Sequence, residues 1–385
     1  MKKVVYLFGA GASKDFGMPL GNEIFERAYR LPLLLKPSRA RTDLKSVLRE
    51  AEKYLGQIFT RLPKQKAKYP PFEEVITFLW EYRKSERYDY DKRKAISVFS
   101  NPGGAKEVFE VFVRMLGLTL AGSAQHSGKR GKGQPLRNFL KSVFSRSENI
   151  TFISMNYDTL LDETLLDCVN AKIISDFTYG TSLYDISSKR DFHNPPKVRC
   201  RESGVYLLKP HGSLNLVYCP HAQYPHGSGF FYSAHELIAT TSGQPRCPAC
   251  GSSPKPLVIP PLYNKAEYIT ANAVKTRAAI NFRASPEIYR LSIDYRIHEV
   301  LAEADEIVVI GYSMPAYDYD FRTLFVSSLM SNQKRKNIAL KIITKGTQRE
   351  VAGLASQFGR FVGSVEILGR NGFLDYLMQR GFGSD

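Results

Sequence analysis

Residues 4–13 read Val-Val-Tyr-Leu-Phe-Gly-Ala-Gly-Ala-Ser. Val4–Phe8 is an apolar, β-rich run without polar alternation, the pattern of a strand covered on both faces. It breaks at Gly9-Ala10-Gly11, and the chain then takes up a helical pattern, with Asn22 as a capping-type residue before Glu23–Tyr29. Glycine at a strand-to-helix turn removes Cβ and lets backbone N–H groups approach a pyrophosphate at the helix N-terminus. The spacing fits G-x-G loosely, since the next glycine is Gly17, and a plain tight turn reads equally well. No acidic residue closes a second strand about 20 residues on, which argues against a hydride-transfer fingerprint.

Strand patterns return at 150–156 (ITFISMN), 205–212 (VYLLKPHG), 306–313 (EIVVIGYS), 339–344 (ALKIIT) and 364–368 (SVEIL), with helical segments such as 157–168 and 319–331 between several of them. This alternation predicts an α/β fold, a doubly wound, Rossmann-like parallel sheet. Between about 40 and 145 the chain instead carries apolar residues at three-and-four spacing, in 43–62, 72–84 and 105–122, which predicts a large helical insertion. The Gly/Lys-rich stretch 122–135 reads as a surface loop rather than a phosphate clamp, because no strand precedes it.

Two more strand exits carry polar residues where open α/β sheets bind ligands. Asn156-Tyr157-Asp158 closes the second strand; Asn156 can orient a water or a sugar hydroxyl, and Asp158 can accept from an amide or cap the helix that follows. His211-Gly212 closes the third, and an imidazole there is a candidate general base or a structural histidine. Region 219–256 breaks the rhythm with His, Pro, Gly, Ser and Cys. Within it, Cys247-Pro-Ala-Cys250-Gly has the form of a zinc knuckle, and Cys219 with His221 supplies two further ligands for a tetrahedral structural Zn2+ site; His226 or His235 are substitutes for His221. Unligated thiols are the plain alternative, and a redox pair is disfavoured because no helix starts there.

Lys and Arg number 54 against 37 Asp and Glu, a formal charge of +17, which suits anionic partners (NAD, nucleic acid or an acidic protein) and equally a solvated basic surface. The 385 residues, 43% hydrophobic, suffice for two domains or lobes. No stretch reaches the ~20 apolar residues of a membrane helix, and the N-terminal run lacks a signal-peptide cleavage pattern. A cytoplasmic protein is expected, and five cysteines in such a chain do not describe a disulfide framework.

Taken in order, these motifs resemble the sirtuin-like superfamily. The GAG-S turn and G-[IM]-P step are matched by Gly9–Ser13 and Gly17-Met18-Pro19, the N-[IY]-D exit by Asn156–Asp158, the HG motif and first zinc cysteine by His211-Gly212 and Cys219, and the G-[TY]-S exit by Gly311-Tyr312-Ser313 before 341–344. The resemblance implies a split NAD-binding domain (1–39, 146–218 and 257–385), the helical insertion at 40–145 and a zinc-ribbon-like module at 219–256. It implies that Gly9, Ala10, Gly11 and Ser13 hold the pyrophosphate and near ribose, that Asp158 grips the nicotinamide carboxamide, and that Gly311 and Ser313 serve the adenosine side. Asn156 and His211 would be catalytic, the first positioning water or a ribose hydroxyl, the second removing a proton. Leu20-Gly21-Asn22 replaces the acidic-Phe-Arg segment of protein-deacylating sirtuins, Ala222 replaces their second zinc cysteine, and 257–265 lacks their Phe-Gly-Glu. The chain thus looks most like the bacterial sirtuin-like NAD hydrolases of antiphage defence, which implies a homo-oligomer and a protein partner such as a nucleic-acid-handling ATPase or nuclease. A protein deacylase, or a nucleic-acid-binding scaffold subunit with a regulatory pocket, are the competing readings.

Overall fold

The computed structural model describes residues 1–36, 38–59, 69–85, 104–126, 133–146, 148–181, 183–185, 197–198, 204–219, 221, 230–232, 247, 250–260 and 285–383. In chain order the elements are β1 (Lys2–Phe8), α1 (Ala10–Lys14), α2 (Ile24–Leu34), α3 (Arg39–Ile58), α4 (Phe72–Ser85), α5 (Gly104–His126), α6 (Gln134–Phe144), β2 (Glu148–Ser154), α7 (Leu160–Asn170), β3 (Phe177–Thr178), β4 (Leu183–Asp185), β5 (Lys197–Val198) and β6 (Val205–Leu208). There follow β7 (Gly212–Tyr218), β8 (Phe230–Tyr232), β9 (Lys255–Val258), α8 (Pro286–Ala302), β10 (Glu306–Ile310), α9 (Tyr319–Ser331), β11 (Ala339–Ile343), α10 (Gln348–Gly359), β12 (Ser364–Gly369) and α11 (Phe373–Gln379).

The chain divides into two compact units, one of residues 1–16, 130–259 and 263–385, the other of residues 17–129 and 260–262. The first is built on a seven-stranded sheet in the order β12-β11-β10-β1-β2-β6-β3, parallel throughout. This is a Rossmann-like, doubly wound α/β sheet. The last five residues of β1 and of β2 and all of β10 are buried, as their largely apolar runs require. After β1 the chain builds outward through β2 on one side, then returns to lay β10 on the other, so the order reverses beside β1. Helices α6, α7 and α11 pack as one group and α8 with α9 as another.

The expected boundary at 145 falls near 130 instead. Leu136, Phe139, Leu140 and Val143 of α6 join the core of the parallel sheet, with the Phe139 ring edge-on to Tyr6 at 5.9 Å and to Phe373 at 5.5 Å. Residues 17–39, expected with the sheet, lie in the second unit. There the helical periodicity holds: Leu44, Val47, Leu48, Ala51, Tyr54 and Leu55 form the buried stripe of α3, whose first turn Ser38 caps by accepting from the Arg41 amide. Phe25 of α2 packs its ring against Tyr69, Phe72 and Phe112 in the same unit.

The region expected as a self-contained module at 219–256 is part of something larger. A five-stranded sheet, β5-β4-β8-β7-β9, draws strands from 183 to 258. Its strand β7 begins at Gly212, directly after His211, and no strand was expected there. Polar Ser213 and Asn215 alternate with Leu214 and Leu216, yet all four are buried, so the polar face is also an interior one.

Where β1 and β10 end, two turns meet backbone to backbone. The Gly9 amide donates to the Ile310 carbonyl and the Gly11 amide to the Gly311 carbonyl, both at 2.9 Å. Gly311 has φ +62°, and a Cβ on it would overlap the Ala12 amide nitrogen. Gly311→Ala therefore combines left-handed backbone strain of about 1–3 kcal/mol with overpacking of about 1–3 kcal/mol. The variant is expected to lose at least about 2 kcal/mol in denaturant unfolding; wild-type stability would refute the contact.

Candidate functional site

Three strand exits of the first unit carry the predicted residues, and each is held by a different device. Ser13 lies in the short helix α1, which the Gly9–Gly11 turn launches; its hydroxyl accepts from Asn156 Nδ2 at 3.0 Å. The same Nδ2 donates to the Gly9 carbonyl at 3.0 Å, so both protons of the Asn156 amide are used. Its Oδ1 is buried and has no hydrogen-bond partner among the described residues. Asn156 thus presents one fixed acceptor.

Asp158 is buried and does two jobs at once. Its Oδ1 accepts from the Leu160 amide at 3.1 Å, the capping role, and its carboxylate also interacts with the Ser13 hydroxyl. Burial pushes its carboxyl above the ordinary range, against the opposing pull of Lys209 and of the Leu160 and Ser13 hydrogen bonds. Ser13, Asn156 and Asp158 line a narrow cavity whose other walls include Phe8, Phe16, Leu161 and Phe373. With Ser154, four polar side chains face aromatic and aliphatic walls there.

His211 follows β6 and does not line that cavity. Its Nε2 faces Asp318, 3.4 Å from the carboxylate, while its Nδ1 is buried without a partner among the described residues. Asp318 also accepts from the Tyr312 hydroxyl at 2.7 Å. Burial works to raise the Asp318 carboxyl, but His211, Tyr312 and Arg290 together outweigh it and hold it below the ordinary carboxylate range. An ionised Asp318 favours the proton on Nε2, which leaves Nδ1 as the basic nitrogen. This is the base-plus-orienting-acid arrangement of proton-transfer sites. Asp318 had no role in the sequence reading; the signal was its place seven residues after Gly311, on the loop that leaves β10.

The other predicted residues fare differently. Gly9 and Gly11 direct their amides at the β10 exit, so neither N–H is left to cradle a phosphate; their missing side chains serve the contact between the two turns. Ala10 and Ser13 remain at the head of α1. Ser313 is exposed beside Gly311, and Met314 after it is buried with φ +50°, a strained conformation for a side chain of that size. Sequence reasoning also missed a buried ion pair, Lys209 Nζ to Asp162 Oδ2 at 2.7 Å, beneath the Asp158 and His211 exits.

In the second sheet, the Sγ atoms of Cys219, Cys247 and Cys250 lie within 4.8 Å of one another. The Gly251 amide donates to the Cys247 carbonyl at 2.8 Å, closing the tight turn that the knuckle spacing predicts. The Ser252 hydroxyl and backbone hydrogen-bond to the Cys250 thiol and draw it down to about 7, so much of it is thiolate at neutral pH. His221, expected as a ligand, is exposed and stands outside this group. His226 and His235 lie outside the described residues. Three converging sulfurs fit three corners of a tetrahedral zinc site.

No protein-family model matches the chain, and no curated protein matches it. Among solved structures it is similar to a serine-to-alanine mutant of a Sir2 homologue bound to ADP-ribose, at 13% identity and a TM-score of 0.36, over 98% of this chain and 92% of that one. It is also similar to Sir2 in complex with an inhibitor, 2′-O-acetyl-ADP-ribose and a deacetylated peptide, at 12% identity and a TM-score of 0.31, over 99% of this chain and 95% of that one. Among the described residues, no helix is long and apolar enough to cross a membrane.

An acid whose folded pKa is raised weakens the fold as pH rises from its ordinary value, 3.8 for Asp158, through the raised one. Asp158→Asn removes that loss and keeps an acceptor for the Leu160 amide. The variant is expected to melt above wild type at pH 7, with the gap closing as pH falls toward 4 in a calorimetric series; a gap independent of pH would contradict a buried, reluctant carboxylate.

Proposed function

We propose that this protein binds NAD and hydrolyses its nicotinamide–ribose bond, releasing nicotinamide and ADP-ribose. One observation carries the reading: among the described residues, Asn156 Oδ1 and His211 Nδ1 are both buried without hydrogen-bond partners, each on a side chain whose other end is tied down. An acceptor held in this way orders a water or a ribose hydroxyl, and a basic imidazole nitrogen takes its proton.

The leaving group already carries positive charge on NAD, so departure needs little acid assistance. The sugar becomes cation-like, and what the protein must supply is an oriented nucleophile and exclusion of bulk water. On this reading Ser13, Asn156 and Asp158 receive the carboxamide ring in the cavity they line, where Asp158 accepts from its NH2. His211, oriented by Asp318, removes the proton from the ribose hydroxyl or the attacking water. Ala10 and Ser13 serve the pyrophosphate side, and Gly311 and Ser313 the adenosine side. Cys219, Cys247 and Cys250 hold a structural zinc ion with a fourth ligand, and the metal has no part in the reaction. The setting that the motif resemblance implies is NAD depletion in bacterial antiphage defence, by a homo-oligomer under the control of a protein partner or nucleic acid.

Purified protein incubated with NAD, with and without DNA and an acetylated peptide, is expected to yield free ADP-ribose. Acetyl-ADP-ribose formed only with the peptide would replace this reading with protein deacylation. A positioned base contributes about 10²–10⁴-fold, so His211→Ala and Asn156→Ala should each lower turnover by at least about 100-fold, and Asp318→Asn by a comparable factor through the wrong tautomer. Folded variants with wild-type turnover would overturn the assigned roles. Elemental analysis is expected to find about one zinc per chain, lost in Cys247→Ser; metal-free wild-type protein would reduce the three thiols to packing.

A further inference from the structure

Lys209 is wholly buried, and its ammonium donates to three acceptors at 2.7 Å each: the Asp158 carbonyl, Asp162 Oδ2 and Ser213 Oγ. These belong to the exit of β2, to α7 and to β7. Asp162 is fixed in turn, its Oδ1 accepting from Tyr179 at 2.6 Å and from Asn215 at 3.2 Å. The main chain of Lys209 is held as well. Its carbonyl accepts from the Tyr289 hydroxyl at 3.2 Å, and the Pro210 carbonyl from Arg290 Nη1 at 2.9 Å, both from α8. His211 follows immediately. With all three protons engaged, Lys209 has no lone pair to offer as nucleophile or base, so its contribution is geometric.

We propose that Lys209 is a positioning residue that locks the Asn156–Asp158 exit and the His211 turn into one rigid arrangement. Two groups from different strands can act on one sugar only if their spacing is kept, and a misplacement of about 1 Å can cost about 100-fold. The proposal rests on the NAD-cleavage reading for its kinetic consequence but not for its structural one. Lys209 is also the cation facing Asp158; the other groups there are Asp162 from α7, the Ser13 hydroxyl from α1 and the Leu160 amide.

The test compares Lys209→Met with Lys209→Met/Asp162→Asn, which also neutralises the carboxylate that Lys209 pairs with, in the full chain. Both are expected to lose about 100-fold in kcat with KM little changed, and the single variant to shift the acid limb of kcat/KM to higher pH. Amide hydrogen exchange at Leu160 and Leu214, which donate to Asp158 Oδ1 and the Tyr157 carbonyl, should speed up at least about tenfold, while β1 and β10 amides stay protected. A double variant that regains both the wild-type melting temperature and wild-type kcat would show a purely structural lysine and overturn the proposal. So would unchanged exchange at Leu160 and Leu214. If the lysine variants do not fold, Ser213→Ala removes one of the three acceptors and should give the same exchange signature in milder form, or else refute it. A wild-type chain inert toward NAD whose variants still show faster exchange would end the functional reading and leave the positioning role standing.

Discussion

Two turns without side chains meet where β1 and β10 end, and the rest of the site is arranged around that meeting. Parallel neighbours finish at the same level of the sheet, so the segments leaving them compete for the same space. Gly9, Gly11 and Gly311 resolve the competition by dispensing with Cβ, and their backbones hydrogen-bond directly. One consequence is that α1 starts close over the sheet, which brings Ser13 to Asn156 and Asp158. Another is that Tyr312, the residue after Gly311, turns inward and presents its hydroxyl to Asp318. The crevice where strand order reverses is the usual ligand position in open α/β sheets; here its floor is a glycine-to-glycine contact.

Beneath that floor the protein buries charge. Desolvating an ammonium and a carboxylate costs several kcal/mol per ion, and only complete hydrogen bonding offsets it. Lys209 and Asp162 meet that demand through Ser213, Tyr179, Asn215 and a main-chain carbonyl. The hydrogen bonding around Asp318 is less complete: Tyr312 donates to it, but the His211–Asp318 approach is long, and His211 Nδ1 is orphaned among the described residues. An unmade bond on a buried polar atom costs about 1–3 kcal/mol. All three Lys209 protons and both Asp162 oxygens are engaged, whereas Asn156 Oδ1 and His211 Nδ1 are not among the described residues, and this contrast separates the part that holds from the part that acts.

Much of the sheet was legible because its central strands are buried on both faces and so are written as runs rich in apolar residues: Val4–Phe8, Ile150–Ile153 and Ile307–Ile310 need no partner to be recognised. Strand β7 was not legible. Its Ser213 and Asn215 look like solvent-facing positions, and only the approach of Lys209 and Asp162 makes an interior out of them. The same holds for α6, an ordinary amphipathic helix in sequence, whose Phe139 and Leu140 turn out to cover the sheet rather than extend the helical unit. Asn156, Asp158 and His211 could be singled out because polar residues closing apolar strands are conspicuous. Asp318 could not, since its partner His211 lies 107 positions away.

The amino-acid sequence by itself determined the strand cores, the helical stretches, the glycines at the strand exits and the cysteine spacing, because each depends on the chemistry of residues close together in the chain. Tertiary structure alone decided which carboxylate faces His211, which amides of the glycine turn are already engaged, and that His221 stands apart from the three thiols. Those outcomes depend on distances between segments far apart in the chain, and a distance of that kind exists only once the sheet has set its strand order.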